Sequence, residues 1–196
     1  LRSQGLQLRQ AGQFPQAIAA LQEASDLDSQ NPAGFVLLGW THHLAGQTAP
    51  ATQSLQQALV LDPKSVPALN ALGIVYLVNG QLSLAVQTHQ QALELKPDNE
   101  IAHYNLSLAY ERLQEYPLSV QHADRASRLE PQNPHPWVAL ALAYYQQGQR
   151  KQAQQAYRRG LQLDSRYRSA EYLGHLKKAG FSPEQIATVR RLLADL

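Results

Sequence analysis

The sequence predicts an all-α fold: an α-solenoid of helix-turn-helix units, closed at the C-terminus by a capping helix pair. Three observations predict it. An apolar residue, a free position and a proline recur at Leu61-Asp62-Pro63, Leu95-Lys96-Pro97 and Leu129-Glu130-Pro131, at a spacing of 34 residues. The same phase reaches Leu27-Asp28-Ser29 and Leu163-Asp164-Ser165. Rows of small residues run in step with it: Gly5, Gly39, Gly73, Ser107 and Ala141, and then Ala17, Ala51, Ala85, Ser119 and Ala153. The stretches between these marks carry helical periodicity, and a repeat of this length is one helical hairpin that needs neighbours to bury its apolar face.

Taken in order, the units are 1–31 (incomplete at its start), 32–65, 66–99, 100–133 and 134–167, followed by a tail, 168–196. Within each unit the first and last fourteen or so residues form the two helices. Gly12, Gly46, Gly80 and Gly148 mark the turn, because glycine takes the left-handed conformation that ends a helix. Pro15, Pro50 and Pro117 fall at the start of the second helix, where the missing N–H has no partner to lose. The fourth unit departs from the pattern, with Gln114 at the glycine position and serines at two small positions. His103 there, and His89 in the unit before, stand where large apolar residues are expected. In the tail, Ala170–Leu176 reads as a helix ending near Gly180, and Ser182-Pro183-Glu184-Gln185 reads as a capping-box helix start. The final helix carries Ile186, Val189, Leu192 and Leu193 on one side, as a terminal cap requires.

These rows resemble the tetratricopeptide repeat (TPR) family, whose hairpins place leucine, glycine, tyrosine, alanine and proline at the same offsets. The resemblance spans 1–167 and implies a right-handed superhelix whose first helices line a concave groove used for peptide binding. The family packs the positions of His89 and His103 near each other, which implies a buried histidine pair; the alternative, a metal site, lacks a third or fourth ligand. The groove positions that the family implies hold Val36, Asn70, Tyr104, Val138 and Tyr172 in one row and Trp40, Ile74, Leu108 and Leu142 in the next. Leu77, Arg112 and Tyr145 lie further along the same helices. The second row is bulky and apolar from Leu6 to Leu176, so an apolar or amphipathic segment of another protein is the expected partner. Aromatic residues would anchor it. The family's clamp for chaperone C-terminal carboxylates needs lysine, asparagine and arginine where this chain has Val36, Trp40, Ile74, Tyr104 and Leu108. No such clamp is expected.

Composition excludes much else. There is no cysteine, so disulfides and thiolate chemistry are out. No dinucleotide fingerprint, phosphate loop, zinc-protease motif or nucleophile elbow occurs, and no catalytic site, cofactor or metal is expected. Charge is uneven: residues 1–98 carry a net −2 and residues 99–196 a net +4. Arg150, Lys151, Arg158 and Arg159 form a basic patch on the second helix of the last unit. The alternatives to a protein-binding groove are therefore a basic-surface adaptor for RNA or anionic membrane, or self-association through the groove. A nucleic acid is not the expected partner, because aromatic residues are not interleaved with these cations as a stacking platform would need. The expected class is a bacterial scaffold or adaptor that assists assembly of a larger complex, placed in the cytoplasm. The chain starts at Leu1, so a preceding signal or membrane anchor stays open.

Overall fold

A computed structural model describes residues 1–196 as eleven α-helices and two 3-10 stretches, without strands. The chain divides into two compact units, Leu1–Asn79 and Gly80–Leu196. The first contains α1 (Arg2–Gln10), α2 (Phe14–Leu27), α3 (Pro32–Leu44), α4 (Thr48–Leu61) and α5 (Val66–Val78). The second contains α6 (Leu82–Leu95), α7 (Glu100–Arg112), α8 (Tyr116–Leu129), α9 (Pro134–Gln146) and α10 (Arg150–Leu163). Two 3-10 stretches, Ser165–Arg168 and Tyr172–Ala179, and α11 (Pro183–Ala194) complete it. The division falls at a turn inside the third 34-residue step. The tail is part of the second unit because it packs on α9 and α10.

Each hairpin is built the same way. The first helix of four hairpins starts at Asn31, Ser65, Asn99 or Asn133, whose side chain accepts a hydrogen bond from a backbone N–H in the first turn. The turn glycines adopt φ between 73° and 80°, and Gln114 takes the same left-handed conformation at 63°. A non-glycine residue there carries a backbone strain of about 1 kcal/mol. Small residues let the paired helices touch. A Cβ on Gly39 would stand 2.7 Å from Leu55 Cγ and 3.0 Å from the Ala51 carbonyl oxygen. In the fourth hairpin serine replaces alanine, and the Ser119 hydroxyl donates to the Ser107 carbonyl at 2.8 Å across the helix pair. The polar substitution is thereby satisfied inside a dry contact.

Tyrosine hydroxyls stitch successive hairpins. Gln56 donates to Tyr76 Oη in the first unit, and Gln90 to Tyr110 Oη in the second. His103 pairs with a different histidine from the one expected. Its partner is His122 on α8, with the two Nδ1 atoms 2.9 Å apart and Tyr110 stacked on His122. His103 Nε2–H donates to the Pro97 carbonyl, so in the neutral ring Nδ1 is bare and accepts from His122 Nδ1–H. Burial pushes both pKa values down, that of His122 to about 4 with His103 adding to the shift. His89 is fully buried on α6 and neither ring nitrogen has a hydrogen-bond partner. No third histidine or carboxylate joins these rings to make a metal cluster.

The tail departs most from the expected helix pair. Its first half winds as a 3-10 helix, in which residues three apart eclipse. That spacing sets Leu173 and Leu176 on one edge, and both are buried. Gly180, at φ 88°, ends it. The second half, α11, starts with a capping box: Gln185 N–H donates to Ser182 Oγ, and Ser182 N–H to Gln185 Oε1.

Candidate functional site: an apolar face and a groove filled by the tail

The candidate groove residues fall into two sets with different surroundings. In the first unit, α3 presents Val36 and Trp40 and α5 presents Asn70, Ile74 and Leu77. Val36, Trp40 and Ile74 are half-exposed, whereas Asn70 and Leu77 are buried. The indole of Trp40 leans on the His43 ring at 5.0 Å, and burial lowers the pKa of His43. That ring is thus kept neutral, an uncharged neighbour for the indole. Leu6 and Arg9 of α1 are also half-buried.

In the second unit the expected open stripe is closed. Leu108 and Leu142 are each 1 % exposed and Val138 is wholly buried. The tail covers this face. Gln185 Nε2 donates to the Leu108 carbonyl at 3.1 Å and to Glu111 Oε2 at 2.6 Å. Tyr104 donates its hydroxyl to the Ala179 carbonyl at 2.6 Å, and its ring faces Phe181. Burial at that end pushes the Tyr104 hydroxyl's pKa well up. Tyr145 donates to Asp195 at 2.9 Å, and Arg150 pairs with the same carboxylate. The apolar side of α11 supplies Ile186, Val189 and Leu192, all buried. Tyr104, Leu108 and Tyr145 are therefore corrected from an open groove to one occupied by residues 179–195 of the same chain; Leu142 is buried on α9, where α11 packs, and Val138 is buried beside Gly160 of α10 in its own hairpin. The physical reason is complementarity: two apolar faces on one chain bury each other before either meets a partner.

Three further assignments change. Arg112 lies one place beyond the row that contains Leu77 and Tyr145. The residue in that row is Glu111, which the sequence reading missed. Glu111 is buried and accepts from Gln146 at 2.8 Å as well as from Gln185. Its signal was present: a carboxylate aligned with a leucine and a tyrosine. Arg112 instead borders a cleft of about 400 Å³ with Tyr116, Gln146 and Glu184. Tyr172 does not line the groove. The 3-10 winding sends it against His175, stacked at 4.8 Å, with the Arg166 guanidinium over its ring. In the basic patch, Arg150 stands apart from the rest, committed to Asp195 and lying over the Tyr145 ring.

Helical hairpins in 34-residue steps, with an amphipathic terminal helix packed on α9, define a helical-repeat protein of the α-solenoid class. Family models described as TPR repeat match residues 5–46 and 77–114, and models described as tetratricopeptide repeat match 54–87 and 134–167. The chain belongs to the tetratricopeptide repeat family. Among solved structures it is similar to MamA, at 25 % identity and TM-score 0.72 over 83 % of this chain and 95 % of that one. MamA 41-end from Desulfovibrio magneticus RS-1 shares the fold at 20 % identity, TM-score 0.75, with 84 % and 93 % covered. TTC0263, a thermophilic TPR protein from Thermus thermophilus, shares it at 19 % identity and TM-score 0.71 over 100 % of this chain and 97 % of that one. No curated protein matches the chain significantly. The repeats support a protein–protein interaction scaffold, and the fold is typically non-enzymatic. No helix is long and apolar enough to cross a membrane.

Proposed function

We propose that the chain is an interaction scaffold whose first unit docks an apolar or amphipathic segment of a partner protein, helping a larger complex assemble. One observation carries this reading. Trp40 and Ile74 remain half-exposed, while the matching Leu108 and Leu142 are sealed by the tail. The sealed half also supports the choice of partner, since what it holds is an amphipathic helix with Ile186, Val189 and Leu192 facing in. Trp40 is the anchor and Val36 and Ile74 the surround that excludes water, the usual division between an energetic centre and its rim. Asn70 and Leu77, on the same helix as Ile74, are buried.

The test is affinity capture with wild-type chain and with Trp40→Ala/Ile74→Asp. Truncating a buried interface tryptophan weakens binding by about 2 kcal/mol or more, roughly thirtyfold. Partners retained by the wild type are expected to be lost from the double variant and kept by Leu113→Asp, an exposed site outside this face. Equal capture by all three proteins would overturn the reading.

A further inference from the structure

The outer side of the last hairpin holds a cleft of about 700 Å³ between α9 and α10. Trp137, Leu140 and Tyr144 form an apolar and aromatic wall on α9, and Lys151, Arg158 and Arg159 of α10 supply cations around it. The one aromatic residue among these cations in the sequence, Tyr157, is buried, and the aromatics of the cleft come from the other helix of the hairpin. Folding brings the two sets together. We propose that this cleft binds an acidic peptide segment carrying an apolar or aromatic side chain. Carboxylates would meet the cations and the side chain would seat on Trp137, Leu140 and Tyr144.

Charge complementarity singles out the acidic partner. Half of the ten arginines elsewhere are neutralised within the chain: Arg2 by Asp28, Arg125 by Asp98, Arg128 by Asp124, Arg150 by Asp195 and Arg166 by Asp164. Helix α10 has no acidic residue at all. Lys151 and Arg158 are exposed and form no ion pair, and Arg159 bonds only the neutral Gln162 amide. Unpaired cations around an apolar wall raise the local concentration of anionic segments and orient them on arrival. The volume matches a pocket that encloses one or two side chains. A peptide is favoured over RNA by the state of Trp137. Its indole N–H is committed to the Pro131 carbonyl, so the ring offers no donor to a base edge.

The chain has two tryptophans, Trp40 and Trp137, so in a Trp40→Phe background Trp137 alone reports on the cleft. The probes are a short Asp/Glu peptide with a central Phe-Leu pair, the same peptide with Ser-Ser at the centre, and oligouridylate. The Phe-Leu peptide is expected to shift Trp137 emission and to bind about tenfold more tightly than the Ser-Ser peptide, with affinity falling as salt rises. Lys151→Glu/Arg158→Glu, two exposed changes that leave packing intact, is expected to lower that affinity by at least about tenfold, whereas Lys178→Glu leaves it unchanged. Equal binding of the two peptides would reduce the cleft to a charged surface. Tighter binding of oligouridylate would make it a nucleic-acid site, and undiminished binding by the double variant would place the site elsewhere. Each of these results overturns the proposal, and none bears on the face around Trp40.

Discussion

Val189→Asp is expected to release the C-terminal segment and to lower the stability of the second unit by about 3–5 kcal/mol. Val189 is 0 % exposed, in the middle of the α11 face that meets the groove. The substitution removes an apolar contact worth about 1.5–3 kcal/mol and inserts a carboxylate with no partner at that depth. Release also takes the Gln185 amide from Glu111, which keeps that of Gln146 and gains water in its place. The control is Ala187→Asp, on the exposed side of the same helix, expected to change stability by less than about 1 kcal/mol. Urea denaturation of both variants beside wild type checks this. If the two substitutions prove equally mild, α11 is not seated as described.

The second large effect is acid sensitivity set by His89. Burial depresses its pKa from 6.5 to about 3, so the folded chain holds the ring neutral across that range. The unfolded chain takes up the proton near pH 6.5. Above that pH both states are neutral and the group contributes no pH dependence. As the pH falls through 6.5, protonation favours the unfolded chain, and the loss deepens until the folded ring also titrates near pH 3. The accumulated penalty is on the order of 5 kcal/mol. His89→Leu keeps the volume apolar, removes two buried nitrogens that have no partner, and is expected to stabilise the chain by about 1–3 kcal/mol at neutral pH. Unfolding free energy measured from pH 7 to pH 4 should show a distinctly shallower acid limb for the variant. An unchanged slope would mean that His89 is hydrated or paired.

The repeat was legible because its physics is local. A close helix–helix contact demands glycine, alanine or serine at fixed offsets, and Gly39 against Leu55 shows how little room remains. The turn conformation was legible at the four glycines, whereas Gln114, read only as a departure from the pattern, takes the same left-handed conformation. The cap row Asn31, Ser65, Asn99 and Asn133 was equally open to reading and escaped notice. The seat of the tail was not legible. Ile186, Val189 and Leu192 announce an apolar face, but nothing local says which surface it meets. Gln185 finds Leu108 and Glu111 more than seventy residues away. The cleft beside Trp137 was hidden for the same reason, since its aromatics and its cations lie on different helices.

The central claim is that the groove of the second unit is filled by the chain's own tail while the face around Trp40 stays open. The chain has no cysteine, so a single introduced thiol reports its own accessibility. The most direct measurement compares the thiol-labelling rates of Trp40→Cys and Leu142→Cys in the folded protein. The structure predicts fast labelling at position 40 and labelling slower by about 100-fold or more at position 142, with that protection lost when Val189→Asp is added. Equal labelling at the two positions in the folded chain would contradict it.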